Sequence, residues 1–439
     1  MLRNDCALLS TNVFNIAIAF MKYFSLVCAL LMTSFLFSQE PIIEEITFEG
    51  LKRVDESLLR RLIKVKSQTA YDSIKVATDI ERLNRLPAIA NATVVQTKLT
   101  DSTYKLTYKI VENFTIIPGL RISEANDGSF AFRVSAFEFN FLGQSQILGG
   151  FYQRDVFDSY GAFWEAPFLF TNKLGFGVNY IKNVTFEPIY LDETPINYKK
   201  DDVGAEIYGL YEIDFHNKAE LGVRVYNESY DIDDTEVQSV LPAGLDANKV
   251  SLRGEYETNF LNITYQYVEG VRNLLDVRYV LGGDGLLEEG LVAQNATEYF
   301  KKIGTKGNWA SRLQLGYASY NESEFAPFTV DNQFNLRGAG NDIDRGTSFV
   351  FVNTEYRHTL IEKDWFVLQG NAFVDAGSIR SPREGFDNLA SINNVELYSG
   401  LGVRFIHKRI FNAVIRLDYG VGLGATQNRG LVFGIGQYF

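Results

Sequence analysis

Residues 334–347 read FNLRGAGNDIDRGT and interrupt a region in which apolar and polar residues otherwise alternate as in β-strands. The glycines of this stretch allow backbone turns that a side chain would block, and Arg337 carries a planar guanidinium that can bind a carboxylate through two hydrogen bonds. Two predicted strands follow, residues 353–357 with Glu355 and residues 373–377 with Asp375. We therefore expect Arg337 to fold back into a lumen and to pair with both carboxylates.

These segments resemble the signature motifs of one superfamily, the BamA-type outer-membrane proteins, which include the TamA and FhaC transporters and the bacterial surface antigens. Leu336-Arg337-Gly338 is similar to the (Val/Ile)-Arg-Gly-(Phe/Tyr) motif on the sixth extracellular loop of that superfamily. Residues 373–377, FVDAG, resemble the motif of the strand that receives this loop, while Ala339 replaces the usual aromatic residue. The resemblance implies a transmembrane β-barrel with a loop motif and a lumen ionic cluster made of Arg337, Gly338, Glu355, Asp375 and Gly377.

Composition limits the classes of protein that this chain can represent. Its 439 residues include 36 glycines, 9 prolines and 14% aromatic residues, which favours many short strands. A mean hydropathy of -0.08 excludes a polytopic helical membrane protein but is compatible with a barrel, in which every second residue faces lipid. A net charge of -12 with no basic cluster argues against a nucleic-acid partner.

The first residues predict export from the cytoplasm. Residues 1–38 are interpreted as a signal peptide. Residues 1–20 could be an extension from an upstream start codon, so translation could start at Met1 or at Met21. A membrane anchor is the alternative, although the apolar run is short for a span. Cys6 and Cys28 both lie in this segment. The mature chain would then be free of cysteine, which excludes thiol chemistry and cysteine metal sites.

Residues 41–113 follow the pattern strand, helix, helix, strand, strand. Asp55 and Asp72 stand where each helix would begin, and residues 48–50, FEG, close the first strand. This order resembles a POTRA domain, the periplasmic module of the same superfamily, present here in one copy. The resemblance implies that the module offers a sheet edge to extended clients. A small α+β spacer without a client is the alternative.

Residues 114–439 predict an outer-membrane β-barrel of the bacterial surface antigen type. About sixteen antiparallel strands fit this length at about twenty residues per strand and connection. Apolar residues at 411, 413, 415, 417 and 419 alternate with Asn412, Val414, Arg416 and Asp418, so one face would contact lipid and the other water. A phase slip between residues 130 and 141 predicts a bulge near Ala136. A soluble β-sandwich is the alternative.

The last predicted strand, residues 431–439, ends on an aromatic residue and resembles the β-signal of outer-membrane barrels. We assign Gly434, Gly436, Tyr438 and Phe439 to this signal and to a weak seam between the first and last strands. A seam that opens would expose unpaired backbone groups, which an arriving client strand could satisfy. Arg337 would keep the wall opposite the seam rigid.

No enzyme chemistry is predicted. His216, His358 and His407 are far apart in sequence, which argues against a histidine triad or a zinc site. The chain has no Gly-x-Ser-x-Gly lipase motif and no dinucleotide fingerprint followed by a helix. We therefore assign no catalytic residue, no metal ligand and no cofactor.

The function that these observations favour is insertion or translocation of proteins at the outer membrane of a Gram-negative bacterium, with the POTRA domain in the periplasm. The expected partners are unfolded outer-membrane or exported proteins, bound through the POTRA sheet edge and the barrel seam, together with outer-membrane lipid and accessory periplasmic proteins. A passive channel or structural barrel and a dedicated two-partner-type secretion pore are the alternatives.

Overall fold

The computed structural model describes residues 41–124, 130–191, 194–232, 242–264, 266–283, 285–287, 289–340, 344–408, 410, 413–423 and 428–439. The predicted signal peptide, residues 1–38, and residues 341–343 of the long loop lie outside this part of the chain. Within the described ranges no helix combines the length and the hydropathy that crossing a membrane requires.

The N-terminal part of the structure is a small α+β unit. Its elements are β1 Ile42–Glu49, α1 Glu56–Leu62, β2 Thr69–Ala70, α2 Ser73–Asn84, β3 Ile89–Lys98 and β4 Thr103–Glu112. The strands form one sheet in the order β2-β1-β4-β3. The predicted order of elements is found, with β2 added as a two-residue strand, and β3 forms one edge of the sheet.

Both helices of this unit begin as the sequence predicts. The Asp55 carboxylate accepts a hydrogen bond from the Ser57 backbone N–H at 2.8 Å, and the Asp72 carboxylate accepts one from Ile74 at 2.9 Å. Each such cap satisfies an N–H group that has no partner inside the helix and contributes about 1 kcal/mol.

The strands that follow belong, with three exceptions named below, to a closed antiparallel barrel. They are β5 Ile116–Glu124, β6 Phe130–Phe141, β7 Gln146–Asp155, β8 Phe157–Ala166, β9 Leu174–Leu191, β10 Thr194–Asp214, β11 Asn217–Ile232, β12 Gly244–Asn259, β13 Asn262–Thr264, β14 Tyr267–Leu281, β15 Gly290–Ile303, β16 Gly307–Ala318, β17 Phe328–Thr329, β18 Arg345–Gly346, β19 Ser348–Glu362, β20 Phe366–Arg380, β21 Glu396–His407, β22 Val414–Gly422 and β23 Arg429–Ile435. The three-residue β13 pairs only with β14, while β17 and β18 pair with each other inside a loop. Within the described residues sixteen strands thus make up the wall, and the predicted fold class is confirmed.

The two ends of the barrel differ. We call the end with short connections, such as residues 142–145 and 215–216, the turn end. The other end, which we call the loop end, carries residues 319–347 between β16 and β19, and residues 381–395 between β20 and β21. A short helix, α3 Phe386–Ala390, and a 3-10 helix, Ile392–Asn394, lie in the second of these loops.

The wall has the predicted two faces. On β22, Ile415, Leu417 and Tyr419 are exposed on the outer surface, whereas Arg416 and Asp418 are buried. The predicted continuation of this stripe to residue 411 lies outside the described residues.

The register of β6 shifts between Glu138 and Phe141, a few residues after the predicted position at Ala136. The reason is local, because the Glu138 carboxylate accepts a hydrogen bond from the backbone N–H of Asn140 at 2.8 Å. That N–H is thereby satisfied without a partner strand, which allows the ladder to break there.

Candidate functional site in the barrel lumen

The long loop turns back on itself before it reaches the barrel wall. The Asn335 side chain accepts a hydrogen bond from the Asp331 backbone N–H at 2.8 Å, and the Asp331 carbonyl accepts one from Leu336 at 3.2 Å. The side chain of Leu336 is fully buried. This compact turn presents residue 337 at its tip.

Arg337 is completely buried and is held by two carboxylates from two strands. Its Nε and Nη2 donate to the two oxygens of Asp375 on β20, each at 2.8 Å, and its Nη1 donates to Glu355 on β19 at 2.5 Å. The backbone N–H of Arg337 also donates to Asp375 at 3.1 Å. The structure thus brings together the three residues that the sequence singled out, in the forked geometry that arginine offers to a carboxylate.

The network extends further along the wall. Arg404 on β21 donates to both oxygens of Glu355, at 3.0 and 3.1 Å, and Arg357 on β19 donates to the same carboxylate. Asp418 on β22 lies 3.4 Å from Arg404 and 4.0 Å from Arg337. All of these side chains are buried, so neighbouring charges act on one another with little solvent screening.

Aromatic rings cover the guanidinium of Arg337. Its central carbon lies 3.7 Å from the ring centroid of Phe373 and 4.4 Å from that of Tyr438. A guanidinium can stack on rings with its faces while its edges bind carboxylates. Ala339, which stands where the family has an aromatic residue, is buried in an apolar cluster with Leu336, while Phe373 and Tyr438 pack against the arginine.

The two glycines of the predicted cluster lie where a side chain would collide. Gly338 has φ +98°, and a Cβ there would lie 2.7 Å from the backbone carbon of Gly420 on β22. A Cβ at Gly377 would lie 2.0 Å from the ring of Phe351. Glycine is therefore required at the tip of the loop and on the strand that receives it.

The loop tip lies on the side of the seam, which differs from the expected position on the opposite wall. Gly430 on β23 is also close, since a Cβ there would lie 3.4 Å from the Cα of Gly338. In addition, the Asn428 side chain donates a hydrogen bond to the Ala339 carbonyl at 3.0 Å. The loop reaches this side because β19 to β22, which bind it, lie next to the closing strand β23 in the barrel order.

The predicted seam residues fall into two groups. Gly434 lies on β23, where a Cβ would approach the Arg416 guanidinium to 3.0 Å. The strand ends at Ile435, three residues before Tyr438 and four before Phe439, because Gly436 adopts φ +101° and turns the chain.

Residues 437–439 instead contact residues of the lumen. Tyr438 is buried, and its hydroxyl donates to the Asn332 carbonyl of the loop at 3.3 Å. Arg357 donates to the Phe439 carbonyl oxygen at 3.0 Å, and Arg404 donates to the Gln437 side chain at 3.0 Å. The predicted role of Tyr438 and Phe439 in the closing strand is therefore replaced by contacts with the luminal arginines.

Comparisons with known proteins agree with this architecture. A family model described as POTRA, surface antigen variable number repeat, matches residues 41–113. This match identifies residues 41–113 as a POTRA domain. Among solved structures, BamA from Haemophilus ducreyi lacking POTRA domains 1–3 matches 90% of this chain and 84% of its own, with 16% identity and a TM-score of 0.56.

Two CdiB structures share the fold as well, each over 90% of this chain. CdiB from Acinetobacter baumannii matches over 74% of its own length, with 15% identity and a TM-score of 0.58. CdiB from Escherichia coli matches over 76% of its length, with 12% identity and a TM-score of 0.62. No curated protein sequence matches the chain. The predicted resemblance is confirmed, by the family model for residues 41–113 and by the shared fold for the barrel.

In this POTRA-barrel protein the sequence analysis missed half of the ionic cluster. Arg357, Arg404 and Asp418 were not assigned, although Asp418 lies on the polar face of a correctly predicted strand. Alternation alone would have placed its side chain in the lumen. Which luminal residues meet depends on the strand register, which the pattern does not give.

The base of the loop in this POTRA-barrel protein is held separately from the tip. Phe328 and Thr329 pair with Arg345 and Gly346 as β17 and β18, and Arg345 forms an ion pair with Glu187 on β9. Burial raises the pKa of Asp344, next to β18, to about 6. The Arg345 backbone N–H opposes this shift, and the nearby Glu396 adds to it.

Proposed function

We propose that this protein inserts or translocates unfolded protein clients at the outer membrane, with its POTRA domain in the periplasm and the loop end of the barrel outside the cell. The observation that carries the proposal is the short closure of the barrel. It is closed between β23, seven residues long, and β5, nine residues long, whereas β9 and β10 have 18 and 21 residues.

A short closure is the part of the wall that opens at the lowest free-energy cost. Opening removes the backbone hydrogen bonds between two strands, and each unsatisfied group costs several kcal/mol in hydrocarbon. Fewer paired residues mean fewer such bonds. A client strand that pairs with β5 or β23 would replace them, so strand addition and opening would stabilise each other.

The POTRA domain offers a second place for an extended client. The strand β3 forms one edge of its sheet, and most residues of its second half are exposed, with Val95 40% exposed. An unpaired strand edge presents N–H and C=O groups to any extended chain. Accessory periplasmic proteins would bind to the same edge of the sheet.

The lumen argues against a passive pore as the main activity. The buried loop residues Leu336 and Arg337 and the buried Tyr438 occupy the interior at the level of Glu355 and Asp375. A wide water-filled channel needs that space to be free.

Disulfide locking tests whether the seam opens. The chain after residue 28 contains no cysteine, so introduced pairs have no competitors in the mature protein. We would place one cysteine at Leu431 on β23 and scan the second along Ile116, Leu120 and Ile122 on β5. The matched control pair is Leu401→Cys with Tyr419→Cys, which lie directly opposite each other on β21 and β22.

We expect the oxidised seam pair to stop assembly of barrel clients in native membranes and reduction to restore it, while the control pair has no effect. Full assembly with a completely crosslinked seam would reject lateral insertion. Depletion followed by proteomics of isolated outer membranes separates the alternatives. A broad fall of barrel proteins supports an insertase, loss of one or two exported proteins supports a dedicated translocator, and no change supports a passive channel.

A further inference from the structure

The inner face of the first two barrel strands carries a pair of arginines. Arg121 on β5 and Arg133 on β6 are directly opposite each other in the register. Their chain neighbours Leu120 and Val134 are 37% and 42% exposed on the outer surface, so the arginines face the lumen. Like charges directly opposite each other destabilise a sheet, which makes this pair costly unless something binds it.

Within the described part of the chain, neither arginine of this pair forms an ion pair. Across the residues that the structure describes, no carboxylate forms a salt bridge with Arg121 or Arg133, and no acceptor takes a hydrogen bond from either guanidinium. The nearby Asp331 of the loop acts on Arg121 only through the longer-range electrostatic attraction. The pair therefore retains positive charge at the lumen surface.

Aromatic rings orient both guanidinium groups. The central carbon of Arg133 lies 3.6 Å from the ring centroid of Phe151 on β7, and that of Arg121 lies 5.2 Å from the ring of Phe334 in the loop. Stacking uses the faces of a guanidinium and leaves its N–H edges free. The two rings therefore hold the arginines in an arrangement that suits a carboxylate.

A third arginine with free donors lies two strands away from β5. Arg416 on β22 is 6% exposed, and its Nε and Nη1 have no hydrogen-bond acceptor within the described residues. Arg416 forms an ion pair with Asp418, whose carboxylate lies 3.6 Å from Nη1, beyond hydrogen-bond distance. Since β22, β23, β5 and β6 are consecutive in the barrel, all three arginines line the luminal side of the seam.

We propose that Arg121, Arg133 and Arg416, which we call the seam arginines, bind the carboxylates of an acidic polypeptide segment in an extended conformation. Strands lie about 4.8 Å apart, so β22 and β6 are separated by about 14 Å, a distance that no single small anion spans. An extended chain covers about 13 Å in four residues. One carboxylate would bind between Arg121 and Arg133, and a second, four residues away, would bind Arg416.

This inference rests on the proposed function, because a client chain at the seam supplies the polypeptide. Its test is a binding measurement that needs no client assembly. The probe is a twelve-residue peptide of Thr, Val and Ser with two glutamates four residues apart and a neutral dye. The comparison peptide has glutamine at both positions. Fluorescence anisotropy with the full-length protein in neutral detergent gives both affinities.

We expect the glutamate peptide to bind about tenfold more tightly than the glutamine peptide, which corresponds to about 1.4 kcal/mol. The preference should decrease with added salt and should disappear in the double variant Arg121→Gln with Arg133→Gln. The matched control is Arg154→Gln, since Arg154 lies on the outer face of β7 and pairs with Asp158 at 2.8 Å. Heat-modifiability on gels verifies that each variant is folded.

Several outcomes would overturn the inference. If the two peptides bind equally, or if Arg154→Gln loses the preference for glutamate as fully as the double variant, the seam arginines are not the binding site. Competition by inorganic phosphate at the concentration of the peptide would show a small-anion site instead. If the peptide binds as expected but depletion leaves the outer membrane unchanged, the proposed function fails and the binding site remains. If assembly requires the protein but no charge preference exists, only this inference fails.

Discussion

Two regions of the lumen treat their arginines differently. At the wall formed by β19 to β22, Arg337 of the loop and Arg404 of β21 share buried carboxylates. On β5 and β6, Arg121 and Arg133 have no ion-pair partner among the described residues. Both groups face the same lumen and are separated by only a few strands. The first group uses its hydrogen-bonding capacity within the protein, so it holds the loop in place. The second group keeps that capacity free, so it is suited to a ligand.

The comparison therefore separates arginines that stabilise the fold from arginines that are available for binding. Removing a member of the first group should destabilise the protein, since buried charges lose their partners. Removing a member of the second should change stability little and change binding. The distinction would be wrong if a substitution in the first group left stability unchanged, or if one in the second group destabilised the protein.

The largest effect is expected for Arg337→Ala. The substitution leaves Asp375 buried and unpaired and removes one partner of Glu355, so the free energy of unfolding should fall by about 3 to 5 kcal/mol. Urea unfolding in detergent, followed by tryptophan fluorescence, measures the change. The exposed Arg154→Ala should lose less than about 1 kcal/mol. Equal effects of the two substitutions would show that the luminal cluster does not hold the loop.

A smaller loss is expected for Gly338→Ala. The added methyl group requires both a left-handed backbone and a shift of the β22 backbone at Gly420, which together should cost about 2 to 3 kcal/mol. Gly285→Ala is the matched control, because Gly285 has φ +90° and no atom lies within 4 Å of the position that its added methyl group would occupy. If Gly338→Ala lowers the free energy of unfolding no more than Gly285→Ala does, the close contact with β22 is not the cause of the loss.

Asp344→Asn should produce an effect that depends on pH. The folded-state pKa of about 6 lies above the ordinary value of 3.8, so the folded state binds the proton more tightly, and stability falls as the pH rises from about 4 to 6. Asparagine does not titrate. The substitution should therefore raise the free energy of unfolding by about 2 to 3 kcal/mol at pH 8 and change it little at pH 4. An equal increase in the free energy of unfolding at pH 4 and at pH 8 would show that titration of this carboxyl is not the cause.

The smallest change in stability is expected for Arg133→Gln. It breaks no ion pair and removes a like charge opposite Arg121, so the free energy of unfolding should stay within about 0.5 kcal/mol or rise slightly. The same urea titration detects the difference from Arg337→Ala. A loss of several kcal/mol would mean that Arg133 belongs to the stabilising group.

The sequence predicts one side of this comparison better than the other. Arg337, Glu355 and Asp375 were found because a glycine-rich loop with one arginine precedes two acidic strands. Arg121 and Arg133 were not found, because each is an ordinary polar residue in an alternating strand. Their significance comes from the register that sets them opposite each other and from the lack of a salt bridge to either guanidinium within the described residues, neither of which the pattern contains.

The same limit applies to the end of the closing strand. The pattern predicts that residues 431–439 continue as one strand, yet the left-handed backbone of Gly436 turns Tyr438 toward Arg312 and Asn332. A glycine in a strand pattern permits such a turn but does not require it. The contacts that make the turn favourable lie more than a hundred residues away in the sequence.

The sharing of Glu355 among three arginines also has a consequence for the order of folding. Arg337 comes from the loop, Arg357 from the same strand as Glu355, and Arg404 from β21, so the carboxylate is fully compensated only after both the loop and β21 have arrived. Before that, the desolvation of these charges opposes burial of the loop. Insertion of the loop is therefore expected to be a late, cooperative step, and refolding of Arg404→Ala should populate an intermediate with a formed wall and an exposed loop.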